Sequence, residues 1–172
     1  MKYIKQELRL LRKQIEHLAS QSTEGDCKYA TRGQDRTPLT PSIHFPEDVL
    51  KFCNEHFKEL IERGLQEEFH VITLNGAHQV IRTHLVTIGI ANASQVHPRE
   101  VFRPAVIDSA VSVILVHNHP SGSSLPSQAD KTTTKRMAKA GDVLGISVLD
   151  HVILASGGSY SFKEQSPTYL VS

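Results

Sequence analysis

Residues 111–130, VSVILVHNHPSGSSLPSQAD, decide how this chain folds. The apolar run Val111–Val116 leads into His117 and His119, and a short, nearly continuous apolar run of this kind reads as a buried strand. Proline, glycine and serine then fill positions 120–126 apart from Leu125 and end the strand abruptly. Ser127 is a natural N-cap, and Asp130 falls three positions later, inside the first turn of a helix. The stretch therefore predicts a central strand, a turn across the sheet edge, and a third helix of the folded domain reaching about Gly141.

Working outward, EEFHVITLN (67–75) reads as a strand, Asn75-Gly76 as a hairpin turn, and VIRTHLVTIGI (80–90) as the returning strand. Before them, Pro46-Glu47-Asp48 makes a good first helical turn. That helix is expected to run to about Arg63, with Gly64 as its stop and Val49, Leu50, Cys53, Phe57, Leu60 and Ile61 on one face. Pro98 opens a second helix with Val101, Phe102, Ala105 and Val106 on its buried side. ISVLDHVILA (146–155) and SYSF (159–162) form a closing hairpin. The order α-β-β-α-β-α-β-β predicts an α+β sandwich with helices flanking a mixed or mostly antiparallel sheet.

The folded domain is expected over residues 43–172. Residues 1–20 contain an amphipathic helix, in which Ile4, Leu8, Leu11, Ile15 and Leu18 repeat at coiled-coil spacing over only two heptads. That segment could pair two copies of the chain or lie on its own domain. Residues 21–42 are polar, carry Gly25, Gly33, Pro38 and Pro41, and read as a flexible linker. The chain has 172 residues, 39% hydrophobic and 22% charged, enough to bury a core without disulfides. Its formal net charge of +1 gives no bulk electrostatic case for nucleic acid or membrane partners. Cys27 and Cys53 are too few and too far apart for a disulfide framework or a thiolate zinc site. With no apolar leader and no membrane-length apolar stretch, the expected compartment is the cytoplasm.

The chemistry follows from the same twenty residues. Positions i and i+2 of a strand share a face, so His117 and His119 aim into one pocket. Asp130 returns toward them from the helix start. Two imidazoles, one carboxylate and an open position suit one zinc ion that acidifies water. Ser127 lies one helical turn before Asp130, and its hydroxyl can face the same pocket. Glu67 and Glu68, at the start of the first strand, are alternative general bases.

His117-x-His119-x7-Ser127-x2-Asp130 resembles the JAMM (MPN-plus) metalloprotease motif, in the HNHPSG…PS…D form of its RadC branch. The likeness extends through EEFHVITLN, NASQVHPREVFRPAV and LDHVILASGGSYSF, and so covers roughly residues 45–168. It implies a cytidine-deaminase-like α/β/α fold and one zinc ion per chain held by His117, His119 and Asp130. It implies a glutamate acting on the water, which the E-x-F pattern assigns to Glu67, and Ser127 steadying the tetrahedral intermediate. Members of this branch commonly carry a helix-hairpin-helix module that binds DNA backbones. Residues before 45 lack its paired glycine hairpins, so no such module is expected there.

The leading expectation is a zinc-dependent hydrolase cleaving a peptide or isopeptide bond. The rival is a DNA-associated or partner-binding module with a structural zinc. Two-metal phosphoryl chemistry lacks its second cluster of acids. A zinc deaminase would need a Pro-Cys-x-x-Cys, which neither cysteine provides.

Overall fold

A computed structural model describes residues 41–89 and 96–171. The helix expected at the N-terminus and all but the end of the linker lie outside the described residues. The elements run α1 (Pro46–His56), α2 (Lys58–Arg63), β1 (Glu68–Leu74), β2 (Val80–Ile88), α3 (Pro98–Ile107), β3 (Ser112–Asn118), α4 (Gln128–Leu144), β4 (Ser147–Ala155), β5 (Gly158–Ser161) and α5 (Phe162–Gln165), with a 3-10 turn at Pro167–Tyr169. The strands form one sheet in the order β2-β1-β3-β4-β5. β3 runs parallel to β4 across the α4 crossover, and the other pairings are antiparallel. The sheet is therefore mixed and the fold α+β, as the order of elements predicts.

β3 is central, and every residue in it is buried. Its alternate side chains feed two cores. Ile114 and Val116 join Ile72, Leu74, Val152 and Leu154 beneath Val49, Phe52 and Cys53 of α1. Val113 and Leu115 join Phe69, Val71 and Val148 beneath Val101, Phe102 and Ala105 of α3 and Met137 of α4. Each fully buried aliphatic side chain contributes about 1.5–3 kcal/mol, so the strand that carries His117 and leads into His119 is among the most firmly held of the described parts.

The structure departs from the sequence reading in several places. The first helix is two, broken at Phe57 (φ −100°, ψ 23°), whose ring turns inward against His56 and His70. Pro41 and Ser42, expected as linker, align with the hairpin: the Val80 amide donates to the Pro41 carbonyl, and Ser42 bridges Gln79. The hairpin exists, but not as a two-residue Asn-Gly turn. Leu74 pairs with Val80 across five loop residues. The Asn75 side chain accepts from the Ala77 and Gln79 amides, and His78 takes the left-handed backbone (φ 56°). Val106 is 60% exposed rather than buried.

α4 passes Gly141 and stops at Gly145, which adopts φ 68°. A Cβ at Gly141 would run into the Ile146 carbonyl oxygen, so this glycine permits close packing rather than ending the helix. Phe162 opens α5 instead of extending the last strand, with Ser161 capping it through a hydrogen bond from the Glu164 amide.

Candidate metal centre

β3 ends where its ladder meets the loop. Phe69 of β1 stands opposite His117, and the two rings stack at 6.0 Å. The His119 amide donates to the Leu154 carbonyl at 2.8 Å, which holds the second histidine beside β4. Gly122 (φ 84°) then turns the chain back, bonding to His119 and Gly157 on either side.

The loop delivers Ser127 and Asp130 as a closed capping box. The Asp130 amide donates to Ser127 Oγ at 3.2 Å. Asp130 Oδ2 accepts from both the Ser127 amide and its hydroxyl at 2.7 Å. The helix start therefore aims the carboxylate without help from any ion.

The donors converge. His117 Nε2 lies 3.0 Å from His119 Nε2 and 3.3 Å from Asp130 Oδ1, and His119 Nε2 lies 3.6 Å from Asp130 Oδ2. Zinc bonds of about 2.0–2.1 Å in tetrahedral geometry require roughly 3.3 Å between ligand atoms, so the spacing fits. Glu67 Oε1 is 3.9 Å from His117 Nε2. Among the described residues, Glu67, His117, His119 and Asp130 form the one cluster able to hold a metal ion, with ligand atoms all within 4.8 Å of one another.

The imidazole of His119 is oriented for binding. Its Nδ1 lies 2.8 Å from the Ser123 carbonyl. A carbonyl only accepts, so Nδ1 carries a proton and the neutral ring presents a bare Nε2 to the cluster. Side-chain exposure is 0% for His117 and 2% for Asp130, against 16% for His119 and 20% for Glu67. The open side of the site therefore lies toward His119 and Glu67.

Electrostatics follow the packing. Burial raises the Glu67 carboxyl above its ordinary range, against the pull of His117 and His119. Burial would do the same to Asp130, but hydrogen bonds with His117, His119 and Ser127 outweigh it and hold Asp130 far below the carboxylate range. The Asp130 carboxylate raises His119, outweighing the effect of burial.

The structure brings Glu67 to the cluster and takes Glu68 away from it. Glu68 Oε2 pairs with His70 Nε2 at 2.9 Å. Ser127 is present, with its hydroxyl proton directed at Asp130. His97 stands at the N-cap position of α3 without a side-chain capping bond, and the exposed Arg99 lies 3.6 Å from Glu100, so both belong to a helix start. Asn118, whose side chain holds the Gln66–Glu68 backbone, is not singled out by the sequence, whereas His151, read from the sequence as a satisfied strand histidine rather than a ligand, has its Nε2 2.9 Å from His117 Nδ1. His-Asn-His offered a signal for the first, since a buried amide between two ligands must find partners of its own.

A mixed α+β sheet with His-x-His at the end of its central strand and Asp130 in the next helix cap defines a metal-site domain of the JAB/MPN type. The chain belongs to the RadC-like JAB domain family, whose model matches residues 43–167. It is 47% identical over 124 residues to a UPF0758 protein of Caldanaerobacter subterraneus, covering 72% of this chain and 52% of that one. It is 46% identical over 136 residues to one of Shouchella clausii, covering 78% and 57%. A UPF0758 protein of Symbiobacterium thermophilum is 52% identical over 99 residues, covering 58% and 42%. The chain thus spans about half the length of the curated relatives it matches. Among the described residues, no helix is long and apolar enough to cross a membrane.

Proposed function

We propose that the domain is a zinc-dependent hydrolase of amide bonds, acting on a peptide or isopeptide. The observation that carries this reading is the convergence of His117, His119 and Asp130 at zinc-ligand spacing, with Glu67 on the open side. When bound there, zinc supplies Lewis acidity, lowering the pKa of water and polarising a carbonyl. Glu67 takes the proton from water and returns it to the leaving amine. Its raised pKa suits that exchange, because a base works best with a pKa near the working pH. The Ser127 hydroxyl, one turn from Asp130, rotates from its cap to donate to the oxyanion. Asp130 keeps the Ser127 amide as a second donor when the hydroxyl leaves.

The test combines metal content with turnover of quenched-fluorescence peptide and isopeptide libraries. The reading requires one zinc per chain, lost in His117→Ala together with hydrolysis. A protein without stoichiometric zinc, or a His117→Ala variant with unchanged metal content, refutes the site.

The nearness of Glu67 also favours a second reading. If its carboxylate were the fourth ligand, the zinc would be closed and structural. Zinc affinity in Glu67→Gln separates the two: unchanged for a base, sharply weakened for a ligand.

A further inference from the structure

His117 presents its Nε2 to the cluster, but a neutral imidazole can do so usefully only if its single proton sits on Nδ1. What holds that proton is not a carboxylate or a backbone carbonyl. His117 Nδ1 lies 2.9 Å from His151 Nε2, and His151 Nδ1 lies 2.7 Å from Thr134 Oγ1. Thr134 Oγ1 in turn lies 2.7 Å from the backbone carbonyl of Asp130, one helical turn earlier in α4. We infer that Thr134 and His151 form a directional hydrogen-bond chain that keeps the proton of His117 on Nδ1 and so leaves Nε2 bare for a cation.

The direction follows from the end of the chain. The Asp130 carbonyl can only accept, so the one proton of Thr134 goes to it. The Thr134 oxygen is left as an acceptor, and His151 Nδ1 must donate to it. The His151 ring is fully buried, stacked on Phe162 at 5.2 Å and tilted against Phe69 at 5.6 Å. Among the described residues, its ring nitrogens meet only His117 and Thr134. A charged ring there would be a buried cation with no carboxylate in contact, so His151 is neutral and its Nε2 accepts. His117 Nδ1 is then the donor.

The chain begins and ends on ligand residues. Asp130 supplies the carboxylate and, through its own backbone carbonyl, the anchor for the tautomer of His117. The two ligands are tied across β3, β4 and α4 by a route that bypasses the cluster, in which they also lie 3.3 Å apart. Thr134 and His151 are positioning residues, because neither touches the donor atoms. Thr134 back-bonds to i−4, an arrangement that slightly weakens a helix on its own.

The inference rests on the metal reading only for its consequence, and the experiment separates the two. Long-range 1H–15N correlation spectra of histidine-labelled, metal-free protein report each ring directly. The expected result is a neutral His151 with Nδ1 protonated and Nε2 bare, and a His117 with Nδ1 protonated. A His151 that is charged or protonated on Nε2, or a His117 with bare Nδ1, overturns the chain, whether or not the protein binds metal.

Zinc affinity, by competition with a chromophoric chelator, then tests the effect. Thr134→Val should bind about 10–100-fold more weakly, the usual cost of losing an outer hydrogen-bond partner. Thr134→Ser, which keeps the hydroxyl, should stay within about twofold of the parent protein. Equal affinities for the valine and parent proteins overturn the proposal. If the parent protein binds no zinc, the metal reading falls, and the spectra alone decide the chain.

Discussion

Asn118 Oδ1 accepts a hydrogen bond from the Glu68 amide at 2.7 Å, one residue beyond the last Cα pairing of β1 with β3. Asn118 Nδ2 donates to the Gln66 carbonyl at 3.0 Å. The two bonds grip the backbone on both sides of Glu67 from the opposite face of the sheet. Asn118→Ala should keep its zinc yet lose roughly 10–100-fold in turnover, the scale of a catalytic group displaced by about 1 Å. Zinc per chain and kcat, measured on the same sample, check this. Loss of metal in step with activity would contradict it.

Glu67→Gln should retain zinc and lose about 10²–10⁴-fold in hydrolysis, the usual share of a general base. The base works ionised, so turnover should rise with pH through a value above the ordinary carboxylate range, and this limb should vanish in the variant. Stability runs the other way. A carboxyl raised by folding stabilises the native state at low pH, and that contribution is lost as pH rises through the folded value. Glu67→Gln should therefore raise the melting temperature of metal-free protein at neutral pH, read by calorimetry.

Protons compete with metal at His119. Its pKa is raised, chiefly by Asp130, so the ring holds its proton to higher pH than an ordinary histidine. Zinc affinity should fall as pH is lowered from about 8 to 5, beginning above the ordinary histidine midpoint. Chelation should nevertheless leave circular dichroism unchanged, because the capping box and both cores close without an ion. Unfolding on chelation would show that the cluster is needed for the fold.

Gly141→Ala should destabilise the domain by about 2 kcal/mol, despite alanine's better helix propensity, because the new Cβ meets the Ile146 carbonyl. Val106→Thr, on the exposed face of α3, should stay within about 0.5 kcal/mol. Urea unfolding of both variants gives the comparison.

The strand, loop and capped helix at 111–130 were legible because period, punctuation and cap chemistry agreed locally. His117, His119 and Asp130 could be brought together on paper from strand alternation and one helical turn. The break at Phe57 is not legible, because apolar periodicity runs through it and the contacts of its ring with His56 and His70 are partly tertiary. The exposure of Val106 is not legible, because an apolar residue next to the stripe of Val101, Phe102 and Ala105 gives no sign that nothing covers it. The link from Thr134 through His151 to His117 lay out of reach for another reason. It depends on the parallel register that sets His151 beside Leu115 of β3, and no local pattern encodes a register between distant strands.

Asp130 serves two masters: it is the acid of the capping box and a member of the donor set. A copy of this domain with no use for a metal would still be selected to keep Ser127 and Asp130, because the longest of the described helices starts on them. Among the described residues His119 shows no comparable second duty; it is partly exposed, and its imidazole meets a loop carbonyl and the other donors of the cluster. In any lineage that abandons the chemistry, His119 should erode first, which makes it a better marker of a working site than the aspartate.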